Sequence, residues 1–296
     1  MPNWATQRIY TKTKDDLQKI KTAFCGKDGE LDFRKVIPMP ESVKNTTAPG
    51  AEEAVPFYLR QKAKKENKTM REVAEELFAK ISASSPNVKP VSFPISEKEW
   101  ERWESQKIEN EREKERKIKR YIQTDTAFLL HCGENQLPRT VRTYALQRLT
   151  NRLLYGTETW YDWAWENWGT KWNADNTYWG DNYIEFQTAW SPAKPIVKAI
   201  SKQLHLHLLF QHAEEQMTEY AGTMEVNDGE VIKNIDYESD SKELFFITAS
   251  IMDPDQCSIR YDTKNNCIVT DYLEEFEEIP EIYIEEKELD AFYAEK

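Results

Sequence analysis

A short segment near the middle of the chain combines side chains that could bind a small ligand. Two tryptophans could stack on a base, a lysine could pair with a phosphate or carboxylate, and two asparagines could hydrogen-bond to polar edges. The glycine permits a turn that a Cβ would hinder. The candidate ligand-binding residues are Asn167, Trp168, Gly169, Lys171, Trp172 and Asn173.

The same segment also fits a structural turn, and we favour that interpretation. Five of the ten tryptophans lie within residues 159–173, and tryptophan is costly to leave exposed, so the region predicts a dense part of the core. In such a turn Gly169 ends a helix, Trp163 and Trp168 pack inward, and Asn173 satisfies backbone groups.

Two histidines could form a metal site. His205 and His207 would lie on the same face of a strand over His205–Gln211, with His212 as a third ligand. The leucines between them indicate that the opposite face is buried, which leaves an ordinary exposed histidine face. We therefore predict no metal and no cofactor.

Catalytic motifs are absent from the sequence. It contains no Gly-rich phosphate loop, HExxH or GxSxG pattern, and His131 and Cys132 are chain neighbours whose side chains would rarely point together. We expect a non-enzymatic protein. No run approaches eighteen apolar residues, so no membrane span is expected. The N-terminus has no apolar signal core and the four cysteines lack CxxC spacing, which predicts free thiols in a reducing compartment.

The negative charge is concentrated in the last third of the chain. Residues 214–296 contain 24 acidic and 6 basic residues, a net charge of −18, whereas residues 1–213 have a net charge of +6. Such a field attracts basic surfaces and repels nucleic acid, although solubility is an alternative explanation. We predict a partner-binding acidic surface formed by Asp271, Glu274, Glu275, Glu277, Glu278 and Glu281.

Hydrophobic periodicity predicts an α+β fold with helices clustered in the middle of the chain. Before Gly180, strands are predicted over residues 3–13 and 31–36, and helices over residues 14–24, 57–85 and 97–122. Capping boxes are predicted at Thr69 with Glu72 and at Ser96 with Glu99. After Gly180 we predict a strand at Tyr183–Trp190, a helix at Pro192–Leu204 with Ser191 as N-cap, and a hairpin across Asn227–Gly229. Three further strands are predicted to continue the sheet: Leu244–Ile251, Ser258–Asp262 and Cys267–Tyr272.

Four passages in order resemble the YubB-type ferredoxin-like family of plasmid and phage proteins. They are residues 1–4 (MPNW), residues 31–40 (LDF and VIPMP), residues 160–174 (WYDW through ENWGTKWNA) and residues 186–192 (F and TAWSP). The resemblance implies a ferredoxin-like α+β sandwich and a mobile-element setting, but no activity. Ala5 stands where the family usually has cysteine, which puts any role for that thiol in doubt.

These observations together give a domain plan and a functional hypothesis. A ferredoxin-like core is predicted from residues 1–56 and 155–240, with a helical insertion at 57–154 and an acidic, β-rich C-terminal extension at 241–296. We expect a phage or mobile-element protein, located in the host bacterial cytoplasm, that inhibits a host defence nuclease complex of restriction, CRISPR or Gabija type by protein contact. A homo-oligomer is also compatible. One alternative is a nucleotide or nucleic-acid-binding module, or an enzyme that acts on such a ligand, centred on residues 167–173. Another is a structural or assembly protein of a phage particle.

Overall fold

The computed structural model describes residues 3–46, 51–84, 95–106, 110–131, 140–215, 220–239, 241–252, 259–262, 267–270 and 287–294. The strands are β1 Trp4–Thr11, β2 Asp175–Trp179, β3 Tyr183–Ala189, β4 His207–Glu214, β5 Ala221–Asn227, β6 Glu230–Asp236, β7 Ile259–Asp262 and β8 Cys267–Thr270. The helices are α1 Lys14–Phe24, α2 Phe33–Val36, α3 Glu41–Lys44, α4 Ala54–Glu66, α5 Met70–Ser84, α6 Glu97–Ser105, α7 Glu111–His131, α8 Val141–Tyr155, α9 Trp160–Trp168, α10 Lys194–Leu204, α11 Lys242–Ile251 and α12 Lys287–Ala294. None of these described helices is both long and apolar enough to cross a membrane.

Internal contacts divide the chain into two compact units. The first unit, called here the sheet unit, combines residues 1–38 with residues 165–296. The second, called the helical unit, contains residues 39–164. The domain boundaries suggested by the sequence stay predictions.

The sheet unit is built on six antiparallel strands in the order β2-β3-β1-β4-β5-β6. Along the chain its first part runs β1–α1–β2–β3–α10–β4, and this succession with β1 between β3 and β4 is the ferredoxin-like arrangement. β5 and β6 extend the sheet beyond β4. The predicted α+β class with a ferredoxin-like antiparallel sheet is confirmed.

Helices cover both faces of this sheet. On one face Ile9, Phe186 and Phe210 are fully buried, and α10 packs over β4 and β5. On the other face Ala213 and Ala221 form a cluster with Leu244 and Ile251 of α11, while Phe292 of α12 packs on Tyr10 and Leu209. Apolar burial on both faces of the sheet supplies the main favourable free energy for this unit.

One predicted strand is a helix instead. Residues Leu244–Ile251 lie in α11, which begins after Ser241, whose Oγ accepts a hydrogen bond of 3.1 Å from the Leu244 backbone N–H. A short apolar run has no polar alternation to separate a strand from a buried helix, and the serine N-cap decides in favour of the helix.

The helical unit has a core of its own, formed among α4 to α8 around Trp100, Tyr144 and Leu149. The predicted capping boxes at Thr69 with Glu72 and Ser96 with Glu99 are both formed, with reciprocal hydrogen bonds between 2.7 and 3.3 Å. They satisfy backbone N–H groups that the first helical turn leaves unpaired.

The two long helices predicted in this region are each divided. Asn67, in the left-handed conformation with a φ of 54°, ends α4 before α5 begins. The predicted helix over 97–122 is two helices, α6 and α7. The left-handed asparagine is the physical reason for the first break, because asparagine tolerates this conformation better than most residues.

Three other local predictions in the sheet unit need correction, and one strand was not predicted. Residues 33–36 form α2 rather than a strand, because Asp32 Oδ1 caps it through the Arg34 N–H at 3.1 Å. Helix α10 begins at Lys194 after Ala193, not after Ser191, since Pro195 rather than Pro192 occupies its first turn. β7 and β8 pair with each other in a separate two-stranded sheet. The polar edge strand β2 was not predicted, because it shows little apolar alternation.

Candidate functional site

The turn that contains Gly169 joins two of the sequence passages. Gly169 has a φ of +79°, a conformation that favours glycine. A Cβ at this position would lie 2.7 Å from Pro195 Cδ and 3.0 Å from the Pro192 carbonyl oxygen. The next residue, Thr170, donates a hydrogen bond of 2.8 Å from its Oγ1 to the Ala189 carbonyl oxygen. Glycine is therefore required here both for backbone conformation and for close packing.

Two of the candidate ligand-binding residues hold α2 in place. Trp168 is buried and its Nε1 donates to the Ile37 carbonyl at 3.0 Å, while its ring packs edge-on against Phe33. Asn173 Oδ1 accepts from the Phe33 backbone N–H at 2.7 Å, and its Nδ2 donates to Asp32 Oδ1 at 3.3 Å. These contacts are those of a structural turn, and Trp163 is buried as well.

Two other residues of the segment lie at the surface. The Trp172 side chain is 40% exposed, and Lys171 Nζ lies 4.6 Å from the centre of its ring. This cation–π contact between neighbours is worth about 0.5–1 kcal/mol at an exposed site.

Asn167, the remaining candidate, lines an open cleft of the sheet unit with a volume of about 630 Å³. The cleft is bounded by the end of α9, the first turns of α10, and strands β5 and β6. Its lining residues are Glu166, Asn167, Lys194, Pro195, Lys198, Met224, Val231 and Asn234. The volume falls within the range typical of small-molecule sites.

One of the lining residues, Lys194, forms an ion pair. Lys194 Nζ lies 2.5 Å from Asp236 Oδ1 and donates to Asn234 Oδ1 at 3.1 Å. Partial burial raises the pKa of Asp236, but the hydrogen bond and the positive charge of Lys194 outweigh it, so that the pKa is lowered overall. Asp236 is thus held as a carboxylate at neutral pH.

A buried histidine lies next to this pair. His212 is 2% exposed, and neither ring nitrogen has a hydrogen-bond partner among the described residues. Its Nε2 faces Asp236 Oδ1 at 3.7 Å. Burial, then the positive charge of Lys194, lowers the pKa of His212 to about 3 despite the opposing effect of Asp236, so the ring is neutral at physiological pH.

Space for this ring comes from the facing strand. Gly222 is paired with His212 across β4 and β5, and a Cβ there would lie 2.6 Å from Nε2. From the sequence, His212 is predicted only as a possible third metal ligand. An isolated glycine within a predicted strand is the one signal that could have indicated a close approach here.

The prediction that His205 and His207 lie on the same face of one strand is wrong. His205 is not in the strand: it ends α10 in the left-handed conformation, and its Nδ1 lies 2.7 Å from Asp228 Oδ1. His207 begins β4, with Nε2 at 2.6 Å from Glu225 Oε1. Across the described ranges no cluster of His, Cys, Asp or Glu is suited to hold a metal.

The predicted acidic surface, from Asp271 to Glu281, lies outside the described residues. Other exposed carboxylates of the acidic third are described along the β6 side of the sheet, at Asp228, Glu230, Asp236 and Glu238. Between them β6 exposes 41% of Val231 and 57% of Ile232.

Part of the sheet unit is similar to a known protein family. Residues 167–288 match the family model described as the ferredoxin-like domain in Api92-like protein. Residues 167–288 are therefore similar to the ferredoxin-like domain in Api92-like protein. The crystal structure of the api92 protein from Yersinia pseudotuberculosis is also similar, at 12% identity and a TM-score of 0.32, over 81% of this chain and 99% of that one. No curated protein matches.

The segment that matches the family model includes most of the cleft. Every lining residue except Glu166 falls within the matched segment, as do His212 and Asp236. β1, which lies between β3 and β4, precedes the matched segment. The N-terminal strand therefore completes the sheet that carries the cleft.

Proposed function

We propose that this chain is a protein of a plasmid or phage that binds a host protein in the bacterial cytoplasm and inhibits it without catalysing a reaction. The observation that carries the proposal is the outer edge of β6. This strand ends the six-stranded sheet, and no other strand of the described chain pairs with its outer side.

An open edge strand is a ready site for another polypeptide. Its outward backbone N–H and C=O groups can pair with a partner strand, and exposed apolar side chains add affinity. Val231 and Ile232 expose apolar surface on this strand, next to the charged side chains of Glu230, Lys233 and Asp236. Lys233 is the one basic residue within β6.

Charge complementarity indicates the kind of partner. The carboxylates at Asp228, Glu230, Asp236 and Glu238 surround the apolar residues of β6, and the sequence adds ten more between residues 271 and 290. A basic protein surface fits this arrangement, because opposite charges accelerate association and set the orientation of docking. The DNA-binding groove of a nuclease is such a surface, since it binds phosphates. We therefore propose a defence nuclease complex as the partner.

The test compares the two edges of the same sheet. Cells that carry a restriction, CRISPR or Gabija system would express the full chain, Ile232→Lys, or Tyr178→Lys on the opposite edge strand β2, where Tyr178 is 58% exposed. We expect the unaltered chain and Tyr178→Lys to restore phage plating and to co-purify with a nuclease subunit. Ile232→Lys should weaken that complex at least about tenfold, since apolar anchors dominate interface energies.

Two results would contradict the proposal. One is a failure of the unaltered chain to restore plating against all of these systems. The other is equal loss of binding from both lysine variants, which would leave β6 with no special role. The association rate should also fall as the salt concentration rises from about 0.1 M to about 1 M. An unchanged rate would mean that the acidic surface does not contribute to binding. A homo-oligomer formed through β6 would be detected as a concentration-dependent mass that Ile232→Lys reduces.

The alternative, a nucleotide or nucleic-acid-binding module centred on residues 167–173, has weaker support. Trp168 and Asn173 have structural partners, and only Trp172 of the two candidate stacking rings is exposed.

A further inference from the structure

Two tryptophans at one end of the sheet unit are exposed to a similar extent, Trp172 at 40% and Trp190 at 44%. Trp172 precedes β2 and Trp190 follows β3, and the segments around them are joined by the hydrogen bond from Thr170 Oγ1 to the Ala189 carbonyl. We propose that Trp190 anchors a protein-binding surface and stacks against an arginine side chain of a basic partner. This surface is separate from the outer edge of β6, and the proposal does not require that the partner be a nuclease.

The two indoles differ in what lies against their rings. Lys171 Nζ lies 4.6 Å from the centre of the Trp172 ring, so a cation of the same chain already covers that indole. Among the described residues, no cation and no second aromatic ring lies against the indole of Trp190. Tryptophan is enriched among the residues that dominate the binding energy of protein interfaces, because its large ring loses contact with water when a partner covers it. Trp190 is therefore the indole that is available to a partner.

The backbone holds Trp190 in a conformation that bulky residues rarely adopt, with a φ of +73° in the left-handed region. The Trp190 N–H donates to the Asn3 carbonyl at 2.8 Å, and the Tyr220 hydroxyl donates to the Trp190 carbonyl at 2.8 Å. The next residue is held as well, since Thr188 Oγ1 donates to the Ser191 carbonyl at 2.7 Å. Backbone strain persists only where the surrounding structure fixes it, and it concentrates at ligand-binding sites. A fixed backbone also reduces the entropy that binding would cost.

The charges at this end of the sheet indicate the chemistry of the partner. The register places the carboxyl ends of β3, β4 and β6 at the same end. Glu215 follows β4, Glu238 follows β6, and Asp236 is the last residue of β6 and already binds Lys194. An arginine fits this combination, because its planar guanidinium stacks on an indole and also pairs with carboxylates. Negative charge disfavours a nucleic acid or a second copy of this chain.

Octa-arginine and octa-lysine peptides are matched probes, because they carry the same charge but only the guanidinium stacks as a plane. The full chain, labelled with fluorotryptophan, allows each indole to be followed by fluorine NMR, and the signal that disappears in Trp190→Gly belongs to Trp190. Titration with octa-arginine should shift the Trp190 signal and leave the Trp172 signal in place. Octa-lysine should require a higher concentration to produce the same shift. The signal reports this surface even though carboxylates elsewhere also attract the peptides.

Two variants of exposed tryptophans test the anchor. Trp190→Gly removes the indole and keeps the left-handed backbone, which glycine adopts without strain. It should weaken octa-arginine binding about fivefold, within the range for a cation–π pair that loses contact with water, and it should abolish the preference for octa-arginine over octa-lysine. Trp172→Ala, at a similarly exposed indole, is the matched control and should leave both affinities unchanged. Both variants should retain a cooperative thermal transition.

Several results would overturn the proposal. Equal weakening by Trp190→Gly and Trp172→Ala, or no weakening by either, would leave Trp190 without a special role. Equal affinities of the unaltered chain for the two peptides would reduce the binding to charge alone. A Trp190 signal that shifts when the protein alone is concentrated would assign the surface to a second copy of the chain. A shift with single-stranded oligothymidine but not with octa-arginine would assign it to nucleic acid. None of these measurements involves a nuclease, so they decide this proposal separately from the proposed function.

Discussion

Two deeply buried polar side chains, Arg148 in the helical unit and His212 in the sheet unit, have different surroundings. In the helical unit, Arg148 has a side chain only 4% exposed, yet its Nε lies 2.7 Å from Glu158 Oε2. Arg152 binds the other oxygen of Glu158 at 2.9 Å and reaches Glu99 at 2.6 Å. In the sheet unit, His212 is as deeply buried but has no hydrogen-bond partner among the described residues.

The difference lies in how far neighbouring groups compensate for burial. Burial alone would lower the pKa of Arg148, but the charge and hydrogen bond of Glu158 outweigh it and raise the pKa. Burial lowers the pKa of His212 to about 3, because no group compensates fully. A paired buried charge fixes the position of α8 relative to the segment before α9. The buried imidazole of His212 has two ring nitrogens without a hydrogen-bond partner among the described residues.

The largest expected effect comes from breaking the paired network. Glu158→Gln removes the carboxylate from two arginines and leaves Arg148 buried without its counter-charge. Loss of one member of a buried ion pair costs about 3–5 kcal/mol, and urea unfolding followed by tryptophan fluorescence should show a transition destabilised by that amount. Glu115→Gln, which breaks an exposed pair with Lys119, is the control and should cost less than about 0.5 kcal/mol. Equal effects of the two substitutions would mean that the network is not structural.

The unpaired histidine predicts a dependence of stability on pH. The pKa of His212 falls from 6.5 to about 3 on folding, so between these values the unfolded chain binds the extra proton. Stability is therefore complete above pH 6.5 and declines as the pH falls, by about 2 kcal/mol at pH 5. His212→Leu should reduce the difference in unfolding free energy between pH 7.5 and pH 5 by about that amount.

An exposed histidine gives the matched control. His205→Gln should leave the same difference unchanged, because the His205 side chain is 79% exposed. An equal reduction from His205→Gln would assign the acid sensitivity to general charge effects. No reduction from His212→Leu would mean that the ring is not buried in its neutral form.

Sequence patterns predicted the fold better than they predicted the cleft. The turn across Asn227–Gly229 follows from residues that tolerate positive φ, and Asp228 and Gly229 indeed have φ values of 50° and 83°. Residues 244–251 were assigned to the wrong class because an apolar run carries no periodic signal. The cleft joins side chains from α9, α10, β5 and β6, which only the tertiary fold brings together. The register of β4 and β5 places His212 opposite Gly222. Neither arrangement could therefore be predicted from the spacing of residues along the sequence.

The smallest expected effects test whether Trp168, in the turn at Gly169, has a structural role like that of Arg148. Trp168→Phe leaves the Ile37 carbonyl without its indole donor, which should cost about 1 kcal/mol of unfolding free energy. Lys171→Ala loses an exposed cation–π contact with Trp172 and should cost about 0.5 kcal/mol, the lower end of the range for such a contact at an exposed site. Thermal unfolding of the two variants side by side ranks them. A larger loss from Lys171→Ala would show that the lysine holds the turn, and Trp168 would then have to be considered again as a ligand-binding ring.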